Sequence, residues 1–129
     1  MDNKAWAQEV AKKIKEKELA VAKRNVGKVP YTAENGVFND CSGKEIGWWT
    51  NGFWGGMMWQ LYQATKEPVY KESAEELEKK LDAALMNYHV MDHDSGFRWL
   101  PTAVANYRQF GSDESKNRGM LAASNLAGR

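Results

Sequence analysis

Apolar residues return at helical spacing along most of this sequence. The first helical stretch is capped by Asp2 or Asn3 and runs to about Asn25. Its apolar residues recur at every fourth position: Trp6, Val10 and Ile14. No segment alternates apolar and polar residues over the length of a strand. The pattern therefore predicts an all-α protein.

A second and a third helix follow further along the chain. The second begins at Thr50 or Asn51 and carries two neighbouring apolar stripes: Phe53, Met57 and Leu61, and beside them Trp54, Met58 and Tyr62. We expect the stripe that starts at Phe53 to belong to the core. The third begins at Pro68, a residue suited to the first helical position. It has the cleanest period in the sequence: Tyr70, Ala74, Leu77, Leu81, Ala84 and Tyr88.

A fourth helix is predicted to begin near Pro101, and a fifth follows a break at residues 111–114. The apolar residues of the fourth are Trp99, Ala103, Tyr107 and Phe110, and those of the fifth are Met120, Leu121, Ala123 and Leu126. The segment from Gly27 to Trp48 has no sustained period, so we predict a long irregular segment there. Long loops in compact domains are more often functional than idle.

The later helices form a weak internal repeat. Tyr62 and Tyr107 both precede a short turn and an acidic helix start, about 45 residues apart, and Leu81 and Leu126 have the same offset. Antiparallel helix pairs of this kind bury their faces against neighbouring pairs, as in solenoids and closed helical toroids. Because the fifth helix has no following partner, we expect the chain to be a piece of a longer helical repeat protein.

Composition limits the possible roles of the chain. Its 129 residues correspond to one domain at most, and its formal net charge of +1 gives no field that would attract nucleic acid or a membrane surface. The single cysteine, Cys41, permits no internal disulfide. No apolar run is long enough to cross a bilayer. We therefore expect a cytoplasmic protein.

Aromatic residues and glycines are concentrated at the start of the second helix. Residues 47–59 contain four tryptophans and four glycines. Aromatic faces pack against the apolar faces of sugar rings, and glycine lets a backbone approach a ligand closely. Trp49 lies just before the predicted cap, and Thr50 and Asn51 lie where free N–H groups suit a substrate carboxylate. The alternatives are core packing for the aromatic residues and plain capping for Thr50 and Asn51.

An acidic loop follows the third helix, with the sequence Asp92-His93-Asp94-Ser95-Gly96-Phe97. Asp94 is our candidate for proton transfer, because two neighbouring carboxylates favour retention of a proton on one of them, and Gly96 permits an unusual backbone angle. The alternative is that Asp92 and Asp94 form turns or cap a helix. His93 between carboxylates also suggests a metal site, but three adjacent residues rarely point at one ion. We predict no metal and no cofactor.

Two motifs together resemble the unsaturated glucuronyl hydrolases. The first is Trp49-Thr50-Asn51-Gly52-Phe53-Trp54, followed by Gly56, Trp59 and Tyr62, and the second is His93-Asp94-Ser95-Gly96-Phe97. The pair Asn39-Asp40 upstream is also similar to an Asn-Asp pair of that family. The motifs occur in the family's order and cover nearly the whole chain.

The resemblance implies an (α/α)6 barrel, a ring of six helical hairpins. It also implies hydrolysis of the unsaturated oligosaccharides that polysaccharide lyases release, by hydration of the C4=C5 vinyl ether of the terminal uronic acid. Asp94 corresponds to a second aspartate of the family's site, Trp49 to an aromatic wall for the sugar, and His93 to a neighbour of the site. With Asn51, which is a candidate because of its place at the helix start, the predicted substrate-binding residues are Trp49, Asn51 and His93.

The resemblance also implies that the family's main proton-transfer aspartate lies past residue 129. We therefore expect residues 1–129 to be the N-terminal portion of a single (α/α)6-barrel catalytic domain, incomplete and inactive alone. Its apolar flanks would be uncovered, which predicts self-association. Two other functions remain open, a noncatalytic carbohydrate-binding helical module and a helical scaffold for protein contacts.

Overall fold

The computed structural model describes residues 2–129, and most of them lie in helices. The helices are α1 Asn3–Arg24, α2 Asn51–Thr65, α3 Pro68–Lys80, α4 Asp82–Leu85, α5 Ser95–Trp99, α6 Ala105–Phe110 and α7 Asp113–Ala127. A 3₁₀ turn spans Tyr88–Val90, and a π-helical turn, Leu100–Val104, joins α5 to α6. Among the described residues, no helix has an apolar stretch long enough to cross a membrane.

Helix α1 has the predicted bounds, but most of its apolar residues are exposed. The Lys4 N–H donates to the side chain of Asp2 at 3.4 Å, which caps the helix. Only Val21 and Ala22 are buried, near its C-terminal end. Trp6 and Ile14 are 58% and 47% exposed and Val10 is partly buried, so the first half of the apolar stripe is only partly covered.

The expectation that no strand occurs is wrong for four residues. Ala33–Glu34 pairs antiparallel with Val37–Phe38 inside the long irregular segment. The turn between them holds Asn35 at φ 50° and Gly36 at φ 78°, the positive angles that a two-residue hairpin requires. An Asn-Gly pair is a hairpin signal that the search for strand-length alternation overlooked. The fold class is nevertheless all-α.

The prediction that the Phe53 stripe faces the core is wrong for Phe53 and Met57, whereas Leu61 is partly buried and packs against the core. Phe53 and Met57 are 41% and 43% exposed, whereas Trp54, Met58 and Trp59 are buried. The cause is a direct approach of two backbones, because α5 packs on the glycine side of α2. A Cβ built on Gly52 would lie 2.2 Å from the carbonyl oxygen of Phe97. This contact turns the Phe53 side of α2 away from the interior.

Helix α3 and the fourth predicted helix differ from expectation at their ends. The α3 stripe is buried from Tyr70 to Ala84, but Tyr88 is exposed because the helix has given way to the 3₁₀ turn. The fourth helix begins at Ser95, before the predicted start, and Pro101 lies in the π-helical turn. A widened turn accommodates a proline that has no N–H to donate. Gly96 is helical and not at a positive φ.

The internal repeat is visible in the helix ends. Lys66 and Gly111 both adopt the left-handed conformation, and their N–H groups donate to the carbonyl oxygens of Tyr62 and Tyr107 respectively. The helices α3 and α7 begin two residues later in each case. We call α2–α3 the first hairpin and α5–α7 the second hairpin.

The second hairpin covers one face of the first hairpin, and its own equivalent face is not covered by residues 2–129. An apolar groove of about 180 Å³ is lined by Ser95, Gly96, Trp99, Leu100, Val104, Gly119, Ala122, Ala123 and Leu126. The positions 45 residues earlier are buried apart from Thr50. Leu81 is 0% exposed, whereas its counterpart Leu126 is 38% exposed. The groove is thus the surface on which a further hairpin of the same kind would pack.

A buried ionic cluster joins the two hairpins. The carboxylate of Glu78 accepts hydrogen bonds from Asn106, Ser115 and Arg118. The same Arg118 pairs with Asp82 through Nε at 2.6 Å. These hydrogen bonds to Asp82 raise the pKa of Arg118 above its ordinary value although burial lowers it. Each buried charge therefore has a partner of opposite sign.

The pair Asn39-Asp40 holds the long loop in place. Asn39 Oδ1 accepts from the N–H groups of Tyr31 and Thr32 at 3.0 and 2.9 Å. Asp40 Oδ1 accepts from the N–H of Val29 at 2.9 Å and from that of Ser42 at the same distance. The two side chains thus satisfy backbone donors that no strand or helix would satisfy.

The replacement Gly52→Ala tests the backbone contact between α2 and α5. The new methyl group would collide with backbone atoms that cannot rotate away, so we expect a loss of about 3 kcal/mol of unfolding free energy. Gly43→Ala is the matched control, because a Cβ there meets nothing within 4 Å. Urea denaturation followed by circular dichroism measures both variants. Equal stability of the two would show that the helices do not pack in this way.

The replacement Asp40→Asn tests the loop clamp through its pH dependence. Burial raises the pKa of Asp40, but hydrogen bonds from Val29 and Ser42 outweigh it and hold the pKa below its ordinary value. A depressed pKa adds stability above the unfolded-state value of about 3.9, and this is lost as the pH falls through the folded value. We expect Asp40→Asn to cost less than about 1 kcal/mol at neutral pH, since solvent screens the exposed carboxylate.

The stability difference between wild type and Asp40→Asn should shrink as the pH falls below about 4. Thermal unfolding at a series of pH values measures it. The control is Glu34→Gln, which removes an exposed carboxylate of the same loop. A difference that stays constant with pH, or one that Glu34→Gln reproduces, contradicts the assigned role of Asp40.

Candidate functional site

Five exposed aromatic side chains form a continuous patch, which we call the aromatic platform: Tyr31, Trp48, Trp49, Phe53 and Phe97. Trp49 is at its centre, with ring centroids 6.4 Å from Trp48, 5.8 Å from Phe53 and 5.7 Å from Phe97. The rings meet at steep angles, an arrangement that aromatic pairs favour. An exposed aromatic patch of this kind is typical of a binding surface.

The contact between α2 and α5 assembles the platform from separate parts of the chain. Trp48 and Trp49 precede α2, Phe53 is in its first turn, and Phe97 is in the first turn of α5. Because Gly52 packs on the carbonyl of Phe97, the two helix starts lie side by side. The aromatic residues on them therefore share one surface.

Asn51 lies beneath this surface. It is buried, and its side-chain Nδ2 donates to the carbonyl oxygens of Glu45 at 2.8 Å and Ile46 at 3.0 Å. Its own N–H donates to the carbonyl oxygen of Trp48 at 3.0 Å. The structure thus places Asn51 where it supports the loop before the platform, and its backbone N–H is already paired.

The two aspartates of the acidic loop have different surroundings. Asp92 Oδ1 accepts from the N–H of Asp94 at 3.0 Å and from Arg98 Nη2 at 2.9 Å, so Asp92 forms a turn and an ion pair. Asp94 stands at the N-cap position of α5, yet its side chain makes no capping hydrogen bond. The side chain of Asp94 is 25% exposed, and its carboxylate lies 3.6 Å from His93 Nε2. The side chain of His93 is 89% exposed.

The acidic loop lies next to the aromatic platform. The N–H of Phe97 donates to the carbonyl oxygen of Asp94 at 2.9 Å, and the ring of Phe97 contacts that of Trp49. Phe97 thus links the backbone of Asp94 to the ring of Trp49, and His93 adjoins Asp94 on its exposed side. A carboxylate free of structural hydrogen bonds beside an aromatic surface is suited to proton transfer on a bound ligand.

Arg98 is the residue of this region that the sequence analysis missed. Its side chain is 0% exposed and donates to the carbonyl oxygens of Gly47 and Val90 as well as to Asp92. A cation between Phe97 and Trp99, within an apolar stretch, was the available signal. Arginine is almost never fully buried unless it is paired.

Two grooves adjoin the platform. The larger, of about 330 Å³, is lined by Glu18, Pro30, Tyr31, Phe38, Thr50, Phe53, Trp54 and Met57. The other, of about 270 Å³, is more polar and is lined by Lys44, Glu45, Gly47, Trp48, His89, Val90 and Asp92. Each groove shares aromatic residues with the platform, so the combined surface has room for a ligand longer than one ring.

Cys41 lies near the platform loop but is not suited to be a nucleophile. Its side chain is buried, and burial together with the charge of Glu45 raises the pKa of the thiol. Since the thiolate is the reactive form, a raised pKa keeps the group inert.

Curated relatives have the activity that the two motifs suggest, although no protein-family model matches the chain. The chain is 32% identical over 82 residues to an unsaturated chondroitin disaccharide hydrolase of Streptococcus pneumoniae, which covers 63% of this chain and 21% of that protein. It is also 32% identical over 79 residues to an unsaturated glucuronyl hydrolase of a Bacillus species, with coverage of 60% and 21%. The chain thus spans about a fifth of the length of these relatives.

A solved structure has the same fold. The unsaturated glucuronyl hydrolase of Streptococcus agalactiae superposes with a TM-score of 0.70 and 24% identity, over 89% of this chain and 31% of the other. The predicted architecture, antiparallel helical hairpins that form part of an (α/α)6 barrel, is therefore confirmed. In sequence and in fold, the chain is similar to one part of the unsaturated glucuronyl hydrolases.

Proposed function

We propose that this chain supplies part of the site of a hydrolase that releases a 4,5-unsaturated uronic acid from lyase-generated oligosaccharides. The observation that carries the proposal is the carboxylate of Asp94, which is left without a capping role beside the aromatic platform. The names of the curated relatives support this substrate class. The reaction is hydration of the C4=C5 vinyl ether.

Each predicted site residue has a role in this proposal. The ring of Trp49 packs against the apolar face of the sugar. Asp94 assists proton transfer while a proton adds to C4 and the hydroxyl of water adds to C5, after which the ring opens and the glycosidic link collapses. His93 lies beside Asp94 at the rim. Asn51 contributes to substrate binding through the loop that it supports.

The domain assignment is part of the same proposal. We infer that residues 1–129 form the N-terminal portion of a single (α/α)6-barrel catalytic domain, because the chain spans about a fifth of the curated relatives. The family resemblance places the main proton-transfer aspartate beyond residue 129. Turnover then requires further hairpins, and the chain alone is inactive.

Carbohydrate binding without turnover is the second candidate function. It is favoured by the observation that the five aromatic side chains of the platform all lie within this chain and contact one another. A binding module needs the platform alone, whereas a hydrolase also needs Asp94 and the main proton-transfer aspartate.

We also propose a cytoplasmic location. The support is Cys41, the single cysteine, which is a free thiol. Free thiols persist in reducing compartments, whereas secreted proteins commonly pair their cysteines. An unsaturated disaccharide would then reach the site after uptake into the cell.

A titration with an unsaturated chondroitin disaccharide tests both candidates. We expect saturable quenching of tryptophan fluorescence, because the sugar covers Trp49, and we expect Trp49→Ala to remove it. Trp6→Ala is the control, since Trp6 is exposed on α1 and is no part of the platform. Absence of a saccharide-dependent change in the wild type would contradict both candidates and favour a scaffold for protein contacts.

The ultraviolet absorbance of the same disaccharide separates the two candidates. In a chain extended past Arg129, the hydrolase proposal expects loss of the conjugated band, and Asp94→Asn should abolish this loss without changing the helical circular dichroism spectrum. Binding with an unchanged band in the extended chain would favour the noncatalytic module. Full turnover by the Asp94→Asn variant would rule out the role of Asp94.

The apolar groove of the second hairpin predicts self-association of the 129-residue chain. Uncovered apolar surface is stabilised when a second molecule removes it from water. We expect sedimentation velocity to show dimers or larger species whose fraction rises with concentration. Leu126→Glu should shift the chain toward monomer, whereas Met86→Glu, at an exposed position outside the groove, should not. A monomer at all concentrations would contradict the proposal.

A further inference from the structure

One buried cation contacts both halves of the candidate site. The guanidinium of Arg98 donates through Nη1 to the carbonyl oxygen of Gly47, and through Nη2 to that of Val90 at 2.7 Å and to Asp92 Oδ1 at 2.9 Å. These partners lie on two loops that are far apart in sequence. Arg98 therefore ties the loop before α2 to the loop before α5.

The hydrogen bond from Arg98 to the carbonyl oxygen of Gly47 fixes the position of the platform. Gly47 directly precedes the tryptophan pair Trp48-Trp49. A Cβ on Gly47 would lie 2.7 Å from the Cβ of Val90, so the two loops are in direct contact where Arg98 binds both carbonyl oxygens. A displacement of this carbonyl pair would move Trp48 and Trp49.

The bond from Arg98 to Asp92 fixes the acidic loop. The oxygen of Asp92 that binds Arg98 also accepts from the N–H of Asp94 at 3.0 Å. Among the described residues, Asp92 is the carboxylate that forms a salt bridge with Arg98. A buried guanidinium is costly without such a partner, and so Asp92 is held firmly. The backbone of Asp94 is held with it.

The side chain at position 98 has to be an arginine for this arrangement. Its planar fork directs separate nitrogen atoms at separate acceptors, whereas the ammonium group of lysine is a compact point charge. Hydrogen bonds in which one partner is charged are stronger than those between neutral groups. Replacement by lysine keeps the charge but loses some of the hydrogen bonds that Arg98 makes to the two loops.

We propose that Arg98 is a positioning residue, whose buried fork sets the aromatic platform and the Asp94 loop in register with each other. The purpose of this alignment rests on the proposed function. It places the sugar against the tryptophan pair while the double bond of the sugar lies at Asp94. Arg98 itself does not touch the ligand.

The test compares Arg98→Lys with wild type by two measurements. The first needs no ligand. The rings of Trp48 and Trp49 are 6.4 Å apart at 53°, close enough to couple excitonically in circular dichroism, and Trp49→Ala identifies that signal. We expect Arg98→Lys to lose most of the couplet, and to bind the unsaturated disaccharide roughly tenfold more weakly in the fluorescence titration.

Arg118→Lys is the matched control. Among residues 2–129, Arg118 is the other buried arginine, and it links α7 to α3 through Glu78 and to α4 through Asp82, outside the site. We expect Arg118→Lys to lower the melting temperature about as much as Arg98→Lys, with the couplet and the affinity unchanged. If Arg98→Lys also keeps both signals, Arg98 contributes stability alone and the proposal is overturned.

A second pair of variants applies if Arg98→Lys does not fold. Asp92→Asn keeps an oxygen that accepts from Arg98 and Asp94, whereas Asp92→Ala removes it, and the side chain of Asp92 is 41% exposed. We expect Asp92→Asn to retain affinity and Asp92→Ala to lose it. Equal affinities of the two variants would overturn the link from Arg98 to Asp94.

The two proposals fail in distinguishable ways. If wild type gives the couplet but binds no disaccharide, the proposed function fails, and the ligand-free comparison of Arg98→Lys with Arg118→Lys still decides whether Arg98 sets the tryptophan geometry. If wild type binds and Arg98→Lys keeps the couplet and the affinity, the positioning role fails while the proposed function stands.

Discussion

The direct backbone contact between α2 and α5 at Gly52 determines most other features of this structure. With the Phe97 carbonyl 2.2 Å from where a Cβ would be, no side chain can separate the two helices. The contact sets the rotation of α2 about its own axis, and thereby which of its residues are buried. It also brings two helix starts together, since Gly52 and Phe97 are each in a first turn. The side chains of the loop before each helix lie next to its first turn, so they share the surface that the two helix starts form.

The candidate site is a consequence of that arrangement. Rotation of α2 exposes Phe53, which joins Trp49 and Phe97 in the aromatic platform. The same contact places Arg98 under the loops that precede both helices, where its hydrogen bonds offset the cost of burying a charge. Two neighbouring aspartates thus acquire different roles. Asp92 pairs with Arg98 and forms a turn, whereas Asp94 makes no capping hydrogen bond and its carboxylate lies beside the exposed His93.

The repeat explains which faces of the two hairpins are buried and which are exposed. Each hairpin covers its neighbour through glycines and small residues near the helix starts and through the ionic cluster around Glu78 and Arg118. The second hairpin has the same groove without an occupant. In repeat arrays each unit contributes an interface to its neighbour, so an end unit exposes apolar surface. The relatives, of which this chain spans about a fifth, have a longer polypeptide.

The sequence by itself determined where most of the chain is helical, the Asp2 cap of α1, the start of α3 at Pro68 and the residues of the two motifs. Helical periodicity and capping are local, because residues three and four apart share a face whatever lies opposite. The Asn-Gly hairpin was also local, and only the search for longer alternation missed it. The π-helical turn at Pro101 and the choice of the buried face of α2 were not determined locally. They depend on which surface another element presents, and Phe53 was assigned to the core because its spacing fits either face of α2.

Tertiary structure alone decided which polar groups are partnered. From the sequence, Asp92 and Asp94 can both form turns or cap a helix, and Asn51 is as plausible at the surface as below it. The positions of Arg98 and of the Glu45 and Ile46 carbonyls distinguish them. Those partners are distant in the sequence, and their distances depend on the packing of helices against one another. Local propensity fixes the elements, whereas the pairing of buried polar groups is set by contacts that exist only after the chain has folded.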